Sequence, residues 1–386
     1  MSTLAEQMSS LARLQTPCLL LDEMRMERNI VRLKNRLARL GAHLRPHLKT
    51  PKCVEVARRV MDTPAGPATV STLKEAEEFA RHGVRDMLYA VGIAPNKLDR
   101  GAALRANGIN LSVIVDSVEA ARAVIAKAHA TGDAIPVLIE IDSDGHRSGV
   151  EPKQAELLTE IGRLLHQGGA TLMGVMTHAG GSYGCRGAAA LEAAAERERA
   201  SAVACATVLR EAGLPCPVVS VGSTPTAHFA RDLAGVTEVR AGVFVFFDLF
   251  MAGLGVCGLD DLALSVLATV IGHRRDKDWI ILDAGWMAMS RDRSTAKQPV
   301  DHGYGLVCDA EGRPYGDVVL IDTNQEHGIM AIRSGGNGKL PDLAVGDLVR
   351  VLPNHACATA AQYDRYHVIP QGSGVVSTAW TRFGGW

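Results

Sequence analysis

The chain has 386 residues, 47% of them hydrophobic and 22% charged, the composition of a globular protein with a sizeable core, long enough for two domains or for one barrel of about 250 residues with an appendage. Its formal net charge of −1 gives no electrostatic basis for binding nucleic acid or an anionic membrane, and no run approaches the ~18 uninterrupted apolar residues of a membrane span. Eight scattered cysteines with no C-x-x-C, and a start ("MSTLAEQMSSLARLQTP") lacking a basic stretch before an apolar one, predict a soluble, cytoplasmic enzyme with reduced thiols.

From residue 17 to about 248, short apolar runs alternate with longer amphipathic ones. Strands are predicted at "CLLLD" (18–22), "AHLRPHLK" (42–49), "ATVST" (68–72), "DMLYAV" (86–91) and "NLSVIVD" (110–116). They continue at "IPVLIEID" (135–142), "LMGVMTH" (172–178), "CPVVSVG" (216–222) and "VTEVRAGVFVF" (236–246). Helical stretches such as "SVEAARAVIAKAHA" (117–130) and "GAAALEAAAERERASAVACATVLREAG" (187–213) lie between them. Near-continuous apolar strands alternating with helices predict an α/β fold with a helix-covered parallel sheet. Without the first strand, eight remain, at spacings that suit an N-terminal (β/α)8 TIM-like barrel; a doubly wound open sheet is the competitor.

After about 250 the texture changes. "ALSVLATVIGH", "WIILDAGWMAM", "DVVLIDTNQEHGIMAI" and "DLVRVLPNHACA" are separated by Gly, Pro and Asp turns, which predicts a C-terminal all-β domain. A boundary at "MAGLGVCGLDD" (251–261) assigns 16–250 to the barrel and 251–386, with residues 1–15, to the β domain. Gly253, Gly255 and Gly258 have G-x-G-x-x-G spacing but lack a strand–turn–helix context, so they read as a domain connection.

Reactive groups in such a barrel collect where the strands end. The second run places Lys49 at its tip, with Arg45 and His47 on the same strand face. A lysine there can reach inside, lose hydration and become a Schiff-base amine, although solvated surface lysines are commoner and Lys52 is a rival. "EIDSDGHRSGV" resembles a calcium loop only as far as Asp144; Arg147 near its strand tip can bond an anionic oxygen. "MTHAGGSY" contributes His178 and Tyr183. "SVGSTPT" enters a short helix with Ser223 and Thr224, a candidate phosphate cradle, and Gly242 would let backbone amides approach the same phosphate.

Near the end, "PNHACATAAQY" sets His355 and Cys357 two residues apart after a strand-like run. On an extended segment both would point to one side, within reach of one ion. Alone, the pair reads more readily as a buried cysteine beside an incidental histidine than as a metal clamp.

Taken together, "RPHLKT", "VSTLKEAEEFARHG", "DGHRSGV", "THAGGSY", "VGSTPT", "EVRAGVFVFFD", "DAGWMAMSRD", "NQEHG" and "PNHAC" resemble the fold-type III pyridoxal-phosphate enzymes over nearly the whole chain. These are alanine racemase-like proteins, and the likeness is to their D-threonine aldolase and D-serine dehydratase branch. The resemblance implies Lys49 as the Schiff-base lysine and α-proton base, Arg147 near the cofactor's 3-oxygen and His178 against its ring. It places Tyr183, Thr224, Gly242 and Val243 around the cofactor, mostly its phosphate, and Arg240 at the pyridine nitrogen. An arginine there keeps that nitrogen unprotonated and weakens the ring as an electron sink.

In the metal-dependent members, a histidine and an acidic or cysteine ligand two residues later hold a divalent cation, which His355 and Cys357 match. A thiolate favours zinc, manganese or cobalt over magnesium. The implied activity is dehydration and deamination of a D-configured β-hydroxy amino acid, 3-hydroxyaspartate to oxaloacetate or serine to pyruvate, with ammonia released. Retro-aldol cleavage to glycine and an aldehyde, and cofactor binding without turnover, are the alternatives. The family's active site lies between subunits, so a homodimer is implied; "NQEHG" (324–328) and "MSRDR" (289–293), which hold Glu326, His327 and Arg291, could help to bind substrate or organise the metal, or equally be surface loops.

Overall fold

The structure, a computed structural model, describes residues 10–370, 375–376 and 378–386, so residues 1–9 of the segment expected in the β domain lie outside the described residues. By contacts the chain divides into two compact units, one taking in the described residues through Val31 with Val243–Gly384, the other Arg32–Gly242 with Gly385–Trp386. No helix among the described residues is long and apolar enough to cross a membrane.

Strand β1 (Cys18–Asp22) belongs to the first unit; the second holds β2 (His43–Leu44), β3 (Ala68–Val70), β4 (Asp86–Gly92) and β5 (Asn110–Val115). Its remaining strands are β6 (Pro136–Ile141), β7 (Thr171–Thr177), β8 (Val218–Val221) and β9 (Glu238–Val239). These eight pair in parallel in the order β2-β9-β8-β7-β6-β5-β4-β3, a curled sheet in which each strand from β3 to β8 lies beside its successor. Its two edges meet in one isolated bridge, His47 with Thr69, where Leu48 N–H donates to Thr69 O and Thr69 N–H to Pro46 O, both at 2.8 Å. An open doubly wound sheet is thereby excluded.

Two predicted strands are shorter than their apolar runs. In 42–49 the regular strand ends at Leu44, although backbone bonds run on past it, Arg45 N–H donating to Val239 O (2.9 Å) and His47 N–H to Ala241 O (2.8 Å). In 236–246 only Glu238–Val239 pairs regularly, and Val243–Val245 coils into a 3-10 turn after Gly242. A Cβ at Gly242 would lie 3.0 Å from His47 O and 3.1 Å from Thr50 Oγ1, so close packing against the β2 exit favours glycine there.

Register and the two-residue period place Leu138, Val218 and Met176 on one sheet face with Glu140 and Ser220. Leu88, Ile114, Leu138 and Met176 form an apolar cluster on that face. Beside it runs a polar column. Arg45 Nε donates to Glu238 (2.7 Å) and Arg45 Nη1 to Asp86 (3.1 Å); Ser220 Oγ donates to Glu238 (2.6 Å); Arg240 donates to Ser220 Oγ and Thr177 O. Such a column keeps buried charge hydrogen-bonded, the condition for burying it at tolerable cost.

In the first unit β10 (Leu264–Arg274), β11 (Trp279–Leu282), β12 (Leu306–Cys308), β13 (Pro314–Thr323), β14 (Gly328–Ile332) and β15 (Leu348–Leu352) pair antiparallel, in the order β11-β14-β13-β12-β15-β10. β10 pairs back with β11, so the ring closes into an antiparallel barrel, a more specific architecture than the predicted all-β domain. Closure leaves these strands no free edge. β1, β16 (Arg365–Ile369) and β17 (Thr378–Thr381) extend the sheet from β10, with β1 and β16 parallel. The G-x-G-x-x-G stretch carries the end of a short helix, Leu249–Gly253, and a turn at Gly255, not a strand–turn–helix.

Candidate functional site

In the second unit the predicted cofactor residues other than Val243 lie beyond the C-terminal ends of the parallel strands. Lys49 lies in the turn directly after the His47 bridge, and its backbone N–H donates to His47 Nδ1 at 3.4 Å. Lys49 is exposed, so the loss of hydration expected of it is not seen. Burial, followed by the positive charges of Lys49, Arg240 and Arg147, pushes His47 well below the usual histidine range. The same convergence acts on His178, which burial above all holds at about 3, so this imidazole is neutral at physiological pH. Its Nδ1–H donates to Gly222 O at 2.9 Å, which leaves Nε2 without a proton.

His178 ends the β7 run, and Tyr183 lies in the adjoining 3-10 turn Gly180–Gly184, the two ring centroids 6.1 Å apart. Arg147 lies exposed in the loop after β6. That loop is shaped by Asp142, whose Oδ1 accepts the N–H groups of Asp144, Gly145 and His146. The calcium-like "DSDG" is therefore a carboxylate-capped turn, which explains those residues without a cation.

After β8 the phosphate-cradle residues divide. Ser223 is engaged: its Oγ lies 3.0 Å from both Ser182 Oγ and Thr226 Oγ1 and caps the following helix. Thr224 Oγ1 is buried without a hydrogen-bond partner, so it has a donor to offer a ligand oxygen. The helix Thr224–Phe229 has only six residues, so the hydroxyl counts for more than the helix dipole. Gly222 has φ +139°, and a Cβ there would lie 2.1 Å from Arg240 O; only glycine allows β8 and β9 to run on into this turn. Arg240 is 4% exposed, with burial pushing its guanidinium down against the carboxylates of Glu238, Glu198 and Glu140. Val243 is buried directly after Gly242.

In the first unit His355 is the N-cap of the short helix Ala356–Ala360, with φ −137° and ψ 107°. Cys357 lies inside that helix, so the two do not share an extended segment as expected. They nevertheless meet, the side chains being hydrogen-bonded to each other, because the N-cap turns the histidine toward the first helical turn. His355 Nδ1 lies 3.0 Å from Asp292 Oδ2. Burial opposes protonation of His355, but the bonds to Asp292 and Cys357 outweigh it and raise its pKa to about 11. Burial likewise pushes Asp292 up, and hydrogen bonds from His355 and Ser294 more than offset this and hold it at about 2.

The support for this pair comes from far along the chain. Asp248, 1% exposed, accepts Ala356 N–H through Oδ2 and Met251 N–H through Oδ1, both at 2.9 Å. Asn354 donates to Asp292 O (3.0 Å) and Gly303 O (2.7 Å) and accepts from Thr295 Oγ1 (3.1 Å). Ser290, at φ +74°, accepts Asp292 N–H and fixes the turn that presents its carboxylate. No group of three or more His, Cys, Asp or Glu placed to hold a metal occurs among the described residues. A metal here would have two protein ligands, the chemistry of imidazole and thiolate, with its other positions open.

Sequence reasoning named none of Asp292, Asp248, Asn354 and Glu198 individually. The first three lie inside motifs it did quote, "MSRDR", "EVRAGVFVFFD" and "PNHAC", the first of them as a segment that could organise the metal. Glu198 carried its own signal: an acid on the buried stripe of an alanine-rich helix, in register with Leu191, Ala195 and Ala202. Glu326, His327 and Arg291 are exposed; the first two lie in the β13–β14 loop, and Arg291 stacks on Trp286 at 4.4 Å.

A curled parallel sheet with a lysine at a strand exit, followed by an antiparallel barrel, defines a class. Residues 21–249 match the alanine racemase N-terminal domain family, and residues 263–369 match a serine dehydratase domain. The chain belongs to the alanine racemase N-terminal-domain family, in the branch that carries a serine dehydratase domain. It is 55% identical to D-threo-3-hydroxyaspartate dehydratase of Delftia sp. strain HT23, over 98% of this chain and 99% of that one. It is 30% identical to 3-hydroxy-D-aspartate aldolase of Paracoccus denitrificans, over 96% and 92% of the two chains. The solved structure of the Delftia enzyme superposes with a TM-score of 0.94 at 54% identity, covering 98% of this chain and 100% of that one. The same dehydratase has been solved with a histidine and with a cysteine changed to alanine, the latter in the metal-free form.

Proposed function

We propose that this protein is a pyridoxal-phosphate- and metal-dependent lyase that converts D-threo-3-hydroxyaspartate to oxaloacetate and ammonia. Its curled sheet would act as a (β/α)8 barrel presenting the cofactor. The observation that carries the reading is one chain, 55% identical to that dehydratase over nearly its full length, bearing both an amine at the β2 exit and a His–Cys pair.

The residues fit a phosphorylated aldehyde cofactor. Lys49 supplies the amine to hold it and to serve as base at the substrate's α-carbon. Thr224, with its unpartnered buried hydroxyl, takes a phosphate oxygen, with Gly242, Val243 and Tyr183 alongside. Arg147 binds the 3-oxygen, and neutral His178 packs against the ring without adding charge. Arg240, held by Ser220 and Thr177, keeps the pyridine nitrogen unprotonated.

The Delftia dehydratase has a metal-free form on loss of a cysteine, and its altered histidine lies two residues from that cysteine. His355 and Cys357 have the same spacing and would hold zinc, manganese or cobalt. When bound, the cofactor supplies an electron sink for the α-carbon and the metal a Lewis acid for the departing hydroxyl. Asp292 orients His355 so that Nε2 is the nitrogen left for the ion. A homodimer belongs to the same reading, and the eight free cysteines suit a reducing cytoplasm.

Incubation of the purified protein with D-threo-3-hydroxyaspartate tests the reading. Oxaloacetate and ammonia in equal amounts are expected. Glycine and glyoxylate would instead support the aldolase reading, which the 30% identity to a 3-hydroxy-D-aspartate aldolase favours. A protein that binds the cofactor but turns over none of D-threo-3-hydroxyaspartate, D-serine or D-threonine would overturn both.

A further inference from the structure

We propose that Glu198, in the helix Ala188–Glu211, is the positioning residue that sets the phosphate side of the cofactor site, an inference that rests on the proposed pyridoxal-phosphate function. Glu198 is 2% exposed, in a helix whose other buried positions are Leu191, Ala194, Ala195, Ala202, Cys205, Ala206 and Leu209. An acid in that company is costly unless its oxygens are fully used. They are used on the two turns that follow neighbouring strands. Oε1 accepts Ala179 N–H, after β7, and Gly222 N–H, after β8, both at 2.9 Å. The Thr226 side chain is also hydrogen-bonded to the carboxyl.

Each of these contacts leads to a residue of the candidate site. The Gly222 peptide is gripped on both sides, its N–H by Glu198 and its carbonyl by His178 Nδ1–H. Thr226 Oγ1 accepts Ser223 N–H at 3.0 Å, which fixes the two ends of the turn that carries Thr224. Ser182 Oγ donates to Ala179 O at 2.7 Å and lies 3.0 Å from Ser223 Oγ, so the turn bearing Tyr183 joins the same network. Glu198 thus reaches no ligand itself. It holds the backbone from which Thr224, His178 and Tyr183 project. Without it, two buried N–H groups lose their acceptor and the turns separate to find water.

Because one oxygen accepts both N–H groups, a neutral amide can replace the carboxyl: glutamine Oε1 keeps both bonds and its Nε2–H2 can donate to Thr226 Oγ1. Leucine, of similar size, can do neither. The test measures dissociation constants of pyridoxal phosphate and of pyridoxal, which lacks the phosphate, by visible absorbance, for wild type, Glu198→Gln, Glu198→Leu and Glu198→Asp. Their ratio isolates the phosphate side from any general loosening. In wild type and Glu198→Gln the preference for the phosphorylated form should agree within about twofold, and in Glu198→Leu it should fall about tenfold or more. Glu198→Asp, whose oxygens are drawn back by one methylene, should fall between them and serves if the leucine variant does not fold.

Equal weakening of both ligands, with the ratio unchanged, would reduce Glu198 to a structural residue and overturn the proposal. So would a glutamine variant as impaired as the leucine or aspartate variant. Wild-type protein that takes up no pyridoxal phosphate defeats the functional reading, a result separate from a wild type that binds and a ratio that does not move.

Discussion

The two clusters are built in opposite ways. In the parallel sheet each candidate residue comes from a different strand exit: Lys49 after β2, Arg147 after β6, His178 after β7, Thr224 after β8 and Gly242 after β9. Their convergence is a property of the topology, and no two need be neighbours in sequence. In the antiparallel barrel the opposite holds. His355 and Cys357 come from one short segment, so the pair is visible locally, while what orients it arrives from Asp248 and Asp292, over a hundred and over sixty residues upstream. A distributed site draws its residues from many strand exits and depends absolutely on its single nucleophile. A local pair depends on its distant supports.

The sharpest way to break this contrast is at Lys49. Lys49→Ala should abolish the visible cofactor band and lower turnover of D-threo-3-hydroxyaspartate by about 10³-fold or more, since no second amine is placed to substitute. Lys52, the sequence rival, is ion-paired with the buried Glu75 at 3.2 Å and is 15% exposed, so Lys52→Ala should leave the band in place. A band that survives in Lys49→Ala and vanishes in Lys52→Ala would reverse the assignment.

The metal cluster should respond in graded steps. Chelation, or Cys357→Ala, should remove activity while leaving the visible band, and zinc, manganese or cobalt should restore the chelated wild type only. Asp292→Asn should act more weakly. It keeps an oxygen to accept from His355 Nδ1–H but removes the charge, and metal affinity should fall roughly 10- to 100-fold. Competition against a chromophoric chelator measures this without reference to turnover. Unchanged affinity in Asp292→Asn would mean that the carboxylate serves the 290–303 loop rather than the ion.

Much of this was legible in the chain. Strand–helix alternation, the change of texture near 250 and the strand-exit positions of Lys49, His178 and Thr224 follow from period and turn chemistry, whereas setting β1 aside followed from the count of eight strands that a barrel needs. Element ends were less legible. Regular pairing ends inside two apolar runs, at Leu44 and at Val239, and Gly242 approaches the β2 exit closely. Closure of the antiparallel barrel depends on β10 pairing at once with β11 and β15, a long-range fact that no local pattern carries. The supports of His355 were hidden for the same reason. Asp248 and Asn354 resemble ordinary turn residues until folding brings them together. The exposure of Lys49 was unforeseen because a strand tip fixes where a side chain begins, not how far it is covered.

The smallest predicted effect separates the two regions through acid stability. His178 titrates at about 3 in the fold, against 6.5 for an ordinary histidine, and His47 is lowered too. Above 6.5 neither the folded nor the unfolded state binds a proton at His178, so this residue gives stability no pH dependence there. As pH falls from 6.5 toward 3 the unfolded chain takes up a proton that the folded chain refuses, and stability is lost by up to about 1.4 kcal/mol per pH unit. Raised carboxyls oppose this loss. Burial lifts Glu140 and Glu198, so they hold protons in the fold over a window above 4.5 and favour the folded state on the acid side of it. Net acid sensitivity therefore does not isolate the histidine, but the difference between wild type and His178→Asn does, since the carboxyls are common to both. The variant should be less stable than wild type by a constant amount above pH 6.5, because the bond to Gly222 O is altered at every pH. Between pH 6.5 and 4.5 that gap should narrow steadily as wild type alone suffers the proton penalty. Chemical denaturation at half-unit intervals would measure it, and a gap that stays flat through this range would show that His178 is not held neutral by its surroundings.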